Sequence, residues 1–269
     1  MKLPDLVKKP ILGVYGKAIA LNLALQGHDY QYVFVLAHMR SGSTLLSHIL
    51  ANNPDFDGAG ESHLTYKTPA DLSKLAIATC QRQRTLKLKP GAKYLVDQIN
   101  YNEFLTDETL SSPLIHKCVF LIRPPESTFE SMISRFKWPE KVAFDYYVDR
   151  LKTLVKYSQL LKENALLIEY DDLVDHSEQT LAALTNFLGA REPFKPSFEA
   201  DKTTARSADP SDNMWHGRIV RTQPHKIAIS AEVLNQATTA FQQCREQLLR
   251  SGVKPAQELR TSLAAQSAS

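Results

Sequence analysis

The run Ala37-His38-Met39-Arg40-Ser41-Gly42-Ser43-Thr44 brings together residue types that hold an anion. Backbone N–H groups at the start of a helix point outward and favour negative charge. Gly42 lets the backbone approach a ligand closely, while Ser43 and Thr44 add hydroxyl donors. Arg40 adds a planar fork matched to phosphate oxygens. A lone Ser-Gly-Ser reads as no more than a capped strand-to-helix turn; the arginine and the apolar run before it shift the reading to an anion site. A Walker loop places a lysine directly after its second glycine, where it reaches the terminal phosphates of a nucleoside triphosphate. Here Ser43 follows Gly42 and the cation lies upstream at Arg40. That substitution turns the expectation away from ATP.

For such a loop to work, a strand must deliver it and a helix must follow it. Val33-Phe34-Val35-Leu36-Ala37 is a short continuous apolar run, as expected of a strand buried on both faces. Leu45, Leu46, Ile49 and Leu50 supply the apolar face of a helix that stops near Asn52-Asn53-Pro54. Further strands are expected over 93–97, 117–122 and 165–169. Pro125 suits the first turn of a helix, and others are expected over 142–162, 177–188 (ended by Gly189) and 231–249. Residues 201–224 read as a polar loop. Strands alternating with helices predict an α/β domain with a central parallel sheet flanked by helices in three layers.

Length and composition agree with one domain. The chain has 269 residues, 43% hydrophobic and 23% charged, with a net charge of +3. So small and dispersed an excess gives no footprint for nucleic acid, though it allows a local basic pocket. Cys80, Cys118 and Cys244 are far apart, odd in number and without metal-ligand spacing, which suits core thiols in a reducing compartment. Lys2, Lys8 and Lys9 precede a fairly apolar stretch from Ile11 to Leu25, an outline shared with signal peptides. Pro10, Lys17 and Asn22 interrupt it, and it is short for a membrane span. The expectation is a cytoplasmic protein without a membrane partner. Residues 1–30 form a helical extension packed on the domain, 31–255 the domain itself and 256–269 a disordered tail.

His38-Met39-Arg40-Ser41-Gly42-Ser43-Thr44-Leu45-Leu46 closely resembles the 5′-phosphosulfate loop of sulfotransferases, which use 3′-phosphoadenosine 5′-phosphosulfate (PAPS). That family holds the 3′-phosphate with an arginine at a strand end and a serine in the following helix. Arg123 and Ser131 match this motif in type and spacing. Leu166-Leu167-Ile168-Glu169-Tyr170-Asp171-Asp172-Leu173 resembles a further block of the family, followed by a leucine-rich helix ending in Phe187-Leu188-Gly189. The resemblance covers roughly Val33 to Gly189. It implies a P-loop-like three-layer fold and a PAPS site drawn from Arg40, Ser41, Gly42, Ser43, Thr44, Leu45, Arg123 and Ser131. Tyr170 is then either an adenosine contact or a core tyrosine at a strand end. Met214-Trp215-His216-Gly217-Arg218-Ile219 falls where relatives close a loop over the donor, so Arg218 is implied at the 3′-phosphate and Trp215 over the base.

Sulfuryl transfer to a hydroxyl is an in-line displacement, in which the protein aligns the acceptor, neutralises developing charge and removes a proton. Arg40 and the helix start suit the second task. Gly60-Glu61-Ser62-His63 offers two bases. Glu61 matches the glutamate of bacterial carbohydrate and tyrosylprotein sulfotransferases, and His63 is the second candidate. Cytosolic small-molecule sulfotransferases instead use a histidine beside a lysine. The corresponding Val96-Asp97-Gln98-Ile99-Asn100 has neither, which leaves Lys67 as a stand-in for the lysine. The resemblance implies no metal. The acceptor is expected to be a small-molecule, carbohydrate or lipid alcohol. Phe136, Trp138, Phe144, Tyr146 and Tyr147 are either its apolar wall or helix-core packing. Two other readings are a P-loop kinase-like phosphotransferase and a catalytically idle nucleotide-binding module. The absent Walker lysine weighs against the first, and Glu61 beside an intact loop against the second.

Overall fold

The computed structural model describes residues 5–26, 29–198, 217–221 and 227–259, with side chains of the first helix described from Val14 to Leu25. Six strands run parallel: β1 (Gln31–Ala37), β2 (Phe56–Asp57), β3 (Tyr94–Ile99), β4 (Ile115–Ile122), β5 (Ala165–Glu169) and β6 (Lys254–Pro255). They form one sheet in the order β2-β3-β1-β4-β5-β6. Their apolar runs are continuous because helices cover both faces. Alternation along β1 shows this directly, since Tyr32, Phe34 and Leu36 enter one core and Val33, Val35 and Ala37 the other. The first core is closed by residues of α1 (Asp5–Gln26), α3 (Ser73–Gln83), α4 (Asp107–Leu110), α5 (Pro125–Phe136), α6 (Glu140–Leu161) and α9 (Ala231–Arg250). The second is closed by α2 (Ser43–Asn52), α7 (Tyr170–Asp175) and α8 (Ser177–Leu188). The result is the three-layer α/β architecture with a parallel sheet.

The expected strands and helices are all present, with ends moved by up to a few residues. β2 and β6 have too few residues for an alternation to register in the sequence, and α3 lies in a stretch left without an element. The N-terminal helix packs on the domain: Ile19 is fully buried and the Tyr15 hydroxyl donates to Thr85 O at 2.8 Å. Of the tail expected from 256, residues 256–259 are described and pack on the domain: Ala256 is buried and Gln257 Nε2 donates to Asp172 Oδ1 at 3.3 Å. Residues 260–269 lie outside the described residues, as does most of the loop expected over 201–224. Among the described residues no helix is long and apolar enough to cross a membrane.

β1 has β3 on one side and β4 on the other, so the strand order reverses there. In open parallel sheets the crevice beyond the carboxyl ends at such a reversal is where ligands bind. One side chain ties the two strand ends at that crevice. Arg150 of α6 is fully buried, and its Nε donates to Ala37 O at 2.8 Å. Nη2 donates to Ile99 O at 2.6 Å and Nη1 to Asn102 Oδ1 at 2.9 Å. Burial pulls the guanidinium below its usual pKa, and Tyr146 and Tyr157 act in the opposite sense. Arg150→Met should lower stability by about 3 kcal/mol, because three acceptors lose their donor in a buried place. Urea unfolding measures this, and an unchanged midpoint would deny the brace any energetic weight.

Candidate active site

The loop after β1 turns sharply before α2, with Arg40 at φ 65° and Gly42 at φ 95°. Gly42 is required twice over. Its φ suits glycine, and a Cβ there would sit 3.0 Å from Cδ2 of Tyr170. α2 starts after Gly42 without a side-chain cap and without an acidic residue in its first turn, an end whose N–H groups favour an anion. Ser41 is fully buried, and its Oγ has no hydrogen-bond partner among the described residues. Ser43 is buried as well, while Thr44 and Leu45 are half-buried at the start of the helix.

The second motif docks onto this loop. Arg123, just past β4, is 7% exposed and donates through Nη1 to Arg40 O at 3.0 Å. Its Nε donates to Ser127 Oγ at 2.9 Å, and its guanidinium carbon lies 4.0 Å from the centre of the Tyr170 ring. Ser131, which the family motif pairs with Arg123, accepts instead from Arg40 Nε at 2.8 Å. Ser127 and Ser131 are one turn apart on the same side of α5, so one face of that helix serves both arginines. Burial lowers the pKa of Arg123, Tyr170 opposes the shift, and the charge of Arg40 adds to it. Tyr170 is 4% exposed, packed between Gly42 and Arg123.

His38 ties the two strand ends together and had no assigned role in the sequence. It is fully buried, accepts at Nε2 from Arg123 N at 3.0 Å, and its Nδ1 lies 2.9 Å from Met39 O. These contacts suit a neutral ring with the proton on Nδ1. Burial lowers its pKa to about 4, with Arg123 and Arg150 adding to the fall.

Glu61 lies on the loop that follows β2. Gly58 brings that loop against β3, for a Cβ there would meet Val96 O at 2.7 Å. The Glu61 carboxylate accepts from Asn100 Nδ2 at 3.2 Å and more loosely from Gln98 Nε2 at 3.4 Å. Gln98 Oε1 in turn accepts from Ser47 Oγ of α2 at 3.2 Å, so a polar chain joins Glu61 to the helix of the anion loop. Burial raises the Glu61 pKa, while His63, Asn100, Gln98 and Arg82 pull it back. His63 Nδ1 stands 3.8 Å from the Glu61 carboxylate with its side chain 58% exposed. Asn100 Oδ1 is buried without a hydrogen-bond partner among the described residues.

From this carboxylate a strip of rings leads outward. His63 meets Phe104, then Tyr101, Tyr146, Trp138 and Phe136 follow, with successive centroids 5.1–6.2 Å apart. The expected wall therefore divides: Tyr147 is fully buried in the core, whereas Phe136 is 39% exposed. Tyr101 and Phe104 join the strip from a segment with no sequence signal for it. Arg218 is exposed, and its backbone is bridged to Ser197. A second arginine near Tyr170 is Arg221, which is 6.0 Å from its ring and ion-paired to Asp171 and Asp175. Trp215 lies outside the described residues, and Lys67 is exposed. Among the described residues no three His, Cys, Asp or Glu side chains are grouped to hold a metal. No family model and no curated protein matches the sequence.

The His38 environment makes a pH prediction. Its folded pKa of about 4 lies below the unfolded value of about 6.5, so the unfolded chain takes up the proton first. The stabilisation is complete above about 6.5 and is lost as pH falls towards 4. Asp97, raised to about 6, acts with the opposite sign, so wild type must be compared with His38→Gln rather than read alone. The stability difference between the two should shrink by up to about 3 kcal/mol between pH 7 and 4. A difference independent of pH would place the His38 proton elsewhere.

Proposed function

We propose that this chain is a sulfotransferase, moving a sulfuryl group from PAPS to a hydroxyl of a small-molecule, carbohydrate or lipid acceptor. The observation that carries the reading is the Arg123–Arg40 contact of 3.0 Å, which merges two anion motifs distant in sequence into one basic surface. A donor with two separate anionic groups asks for such a surface. The uncapped start of α2 and the orphaned Ser41 hydroxyl fit one group; Arg123, with the hydroxyl face of Ser127 and Ser131, fits the other. When bound, PAPS supplies an activated sulfuryl group.

The protein residues then have distinct tasks. Arg40 and the helix start counter charge that develops on the donor side. Glu61 takes the acceptor proton, and a carboxylate whose pKa is raised by burial is better matched to that task near neutrality. Asn100 and Gln98 aim it. The ring strip from Phe104 to Phe136 seats the body of the acceptor beside the base. His63, exposed and 3.8 Å from Glu61, modulates that carboxylate. The buried free cysteines suit a reducing, cytoplasmic setting.

Binding the desulfated product PAP should stabilise the folded chain by about 2.7 kcal/mol at a hundredfold excess over Kd. ATP with magnesium should leave the melting temperature unmoved. Stabilisation by ATP–magnesium alone would instead mark a phosphotransferase. Arg123→Ala should weaken PAP at least tenfold yet change affinity for adenosine 5′-phosphosulfate little; equal losses refute its 3′-phosphate role. Glu61→Gln should keep PAP affinity and lose roughly 10²–10⁴ in turnover of labelled PAPS. Full turnover in that variant would exclude Glu61 as base, and PAP binding without any turnover in wild type would point to an idle module.

A further inference from the structure

The strand that aims Glu61 also grips the residue next to it. Gln98 and Asn100 reach Glu61 from one side of β3 and its end. Asp97 lies between alternating positions and faces the opposite layer, where it is 1% exposed. Its Oδ1 accepts from the backbone N–H groups of Ser62 and Gln98, both at 2.9 Å. Its Oδ2 accepts from the Tyr66 hydroxyl at 2.7 Å and from the Ser62 hydroxyl in a short bond. Ser62 Oγ accepts in turn from Leu64 N at 3.1 Å.

Four donors match the four lone-pair positions of an ionised carboxylate. Two of them come from Ser62 alone, so the loop is held at both its backbone and its side chain. The grip is needed, because the backbone on either side turns left-handed, at Gly60 with φ 73° and at His63 with φ 57°. A non-glycine residue in that region is strained by roughly 1–2 kcal/mol and stays there only when its surroundings insist. A loop so bent has no local preference for placing Glu61 where Asn100 and Gln98 can reach it.

We infer that Asp97 is a positioning residue of the site: with Arg82 holding the Ala59 and Glu61 carbonyls from α3, it clamps Ser62 to the end of β3 and so sets the adjacent Glu61 carboxylate beside α2. The inference rests on the reading of Glu61 as the base, and it does not make Asp97 a catalytic residue. A burial-raised carboxylate released from its seat becomes better solvated, so its pKa returns towards the ordinary carboxylate range.

The test is titration of Glu61 by carboxyl-carbon NMR on glutamate-labelled protein, with Glu61→Gln assigning the signal. No acceptor is needed. In Asp97→Asn the Glu61 pKa should fall towards 4.3. Ser62→Ala should move it in the same direction by less; that variant keeps the Asp97 charge, so its shift reports release of the loop rather than loss of a neighbouring charge. Where Asp97→Asn does not fold, Ser62→Ala and Tyr66→Phe carry the measurement. PAP affinity should stay within about threefold of wild type, because the arginine pair is untouched. Hydrolysis of labelled PAPS, with water as acceptor, gives the second readout. Asp97→Asn should slow it on the order of tenfold to a hundredfold, and should slow it no further in the Glu61→Gln background, as expected of residues acting as one unit. An unmoved Glu61 titration in both Asp97→Asn and Ser62→Ala overturns the inference, as do losses that multiply in the double variant. Full turnover in Glu61→Gln is a different signature: it removes the base assignment first, and this inference with it.

Discussion

The guanidinium of Arg150 is solvated by the terminal carbonyls of two neighbouring strands, Ala37 O of β1 and Ile99 O of β3. A buried charge is costly unless its surroundings replace water, and here oxygen acceptors and the nearby Tyr157 ring do so. Everything at the crevice hangs from those strand ends. The glycine turn before α2 leaves one of them, and the Asn100 and Gln98 groups that hold Glu61 belong to the other. Burial, with lesser help from the charges of Arg123 and Arg150, lowers the His38 pKa.

On this base, the site is joined by contacts between distant segments. Arg123 lies against the Arg40 carbonyl, the Arg40 side chain reaches Ser131, and His38 accepts from the Arg123 amide. Tyr170 packs onto Gly42 and the face of Arg123. Two arginines so close repel each other, and that repulsion is relieved by hydroxyls, a carbonyl and a ring. On the proposed reading, a bound anion would relieve it further. The carboxylate side is organised differently. There a buried strand end grips one loop from both of its faces, and burial alone raises the affinity of Glu61 for a proton.

The elements were legible where residues repeat with a period. The continuous apolar runs of β1, β4 and β5 and the helices after them follow from burial on two faces and on one. β2 and β6 were not legible, since two residues each carry no period and their pairing depends on neighbours already in place. At the site, Arg40, Gly42 and Arg123 could be picked out because each is a charged or conformationally special residue beside a predicted strand end, and Glu61 because it matches the glutamate of the resembling family. Ser127 was passed over in favour of Ser131. Spacing places a serine on a helix face but says nothing of which arginine will reach it. Arg221, 6.0 Å from the Tyr170 ring, had no local signal either, because that contact joins segments far apart in sequence.

Residue type and order alone established that a strand, a glycine turn without a Walker lysine and a helix would follow one another, and that an α/β sheet would carry them. They did so because local geometry and hydrophobic period are properties of adjacent residues. Only the tertiary structure decided that Arg123 touches the Arg40 backbone, that Arg150 ties β1 to β3, and that Asp97 holds the loop bearing Glu61. Those contacts join residues far apart in sequence, across strands whose order in the sheet differs from their order in the chain. They are formed by the packing of α5, α6 and the loops onto strand ends, a geometry that no single segment contains.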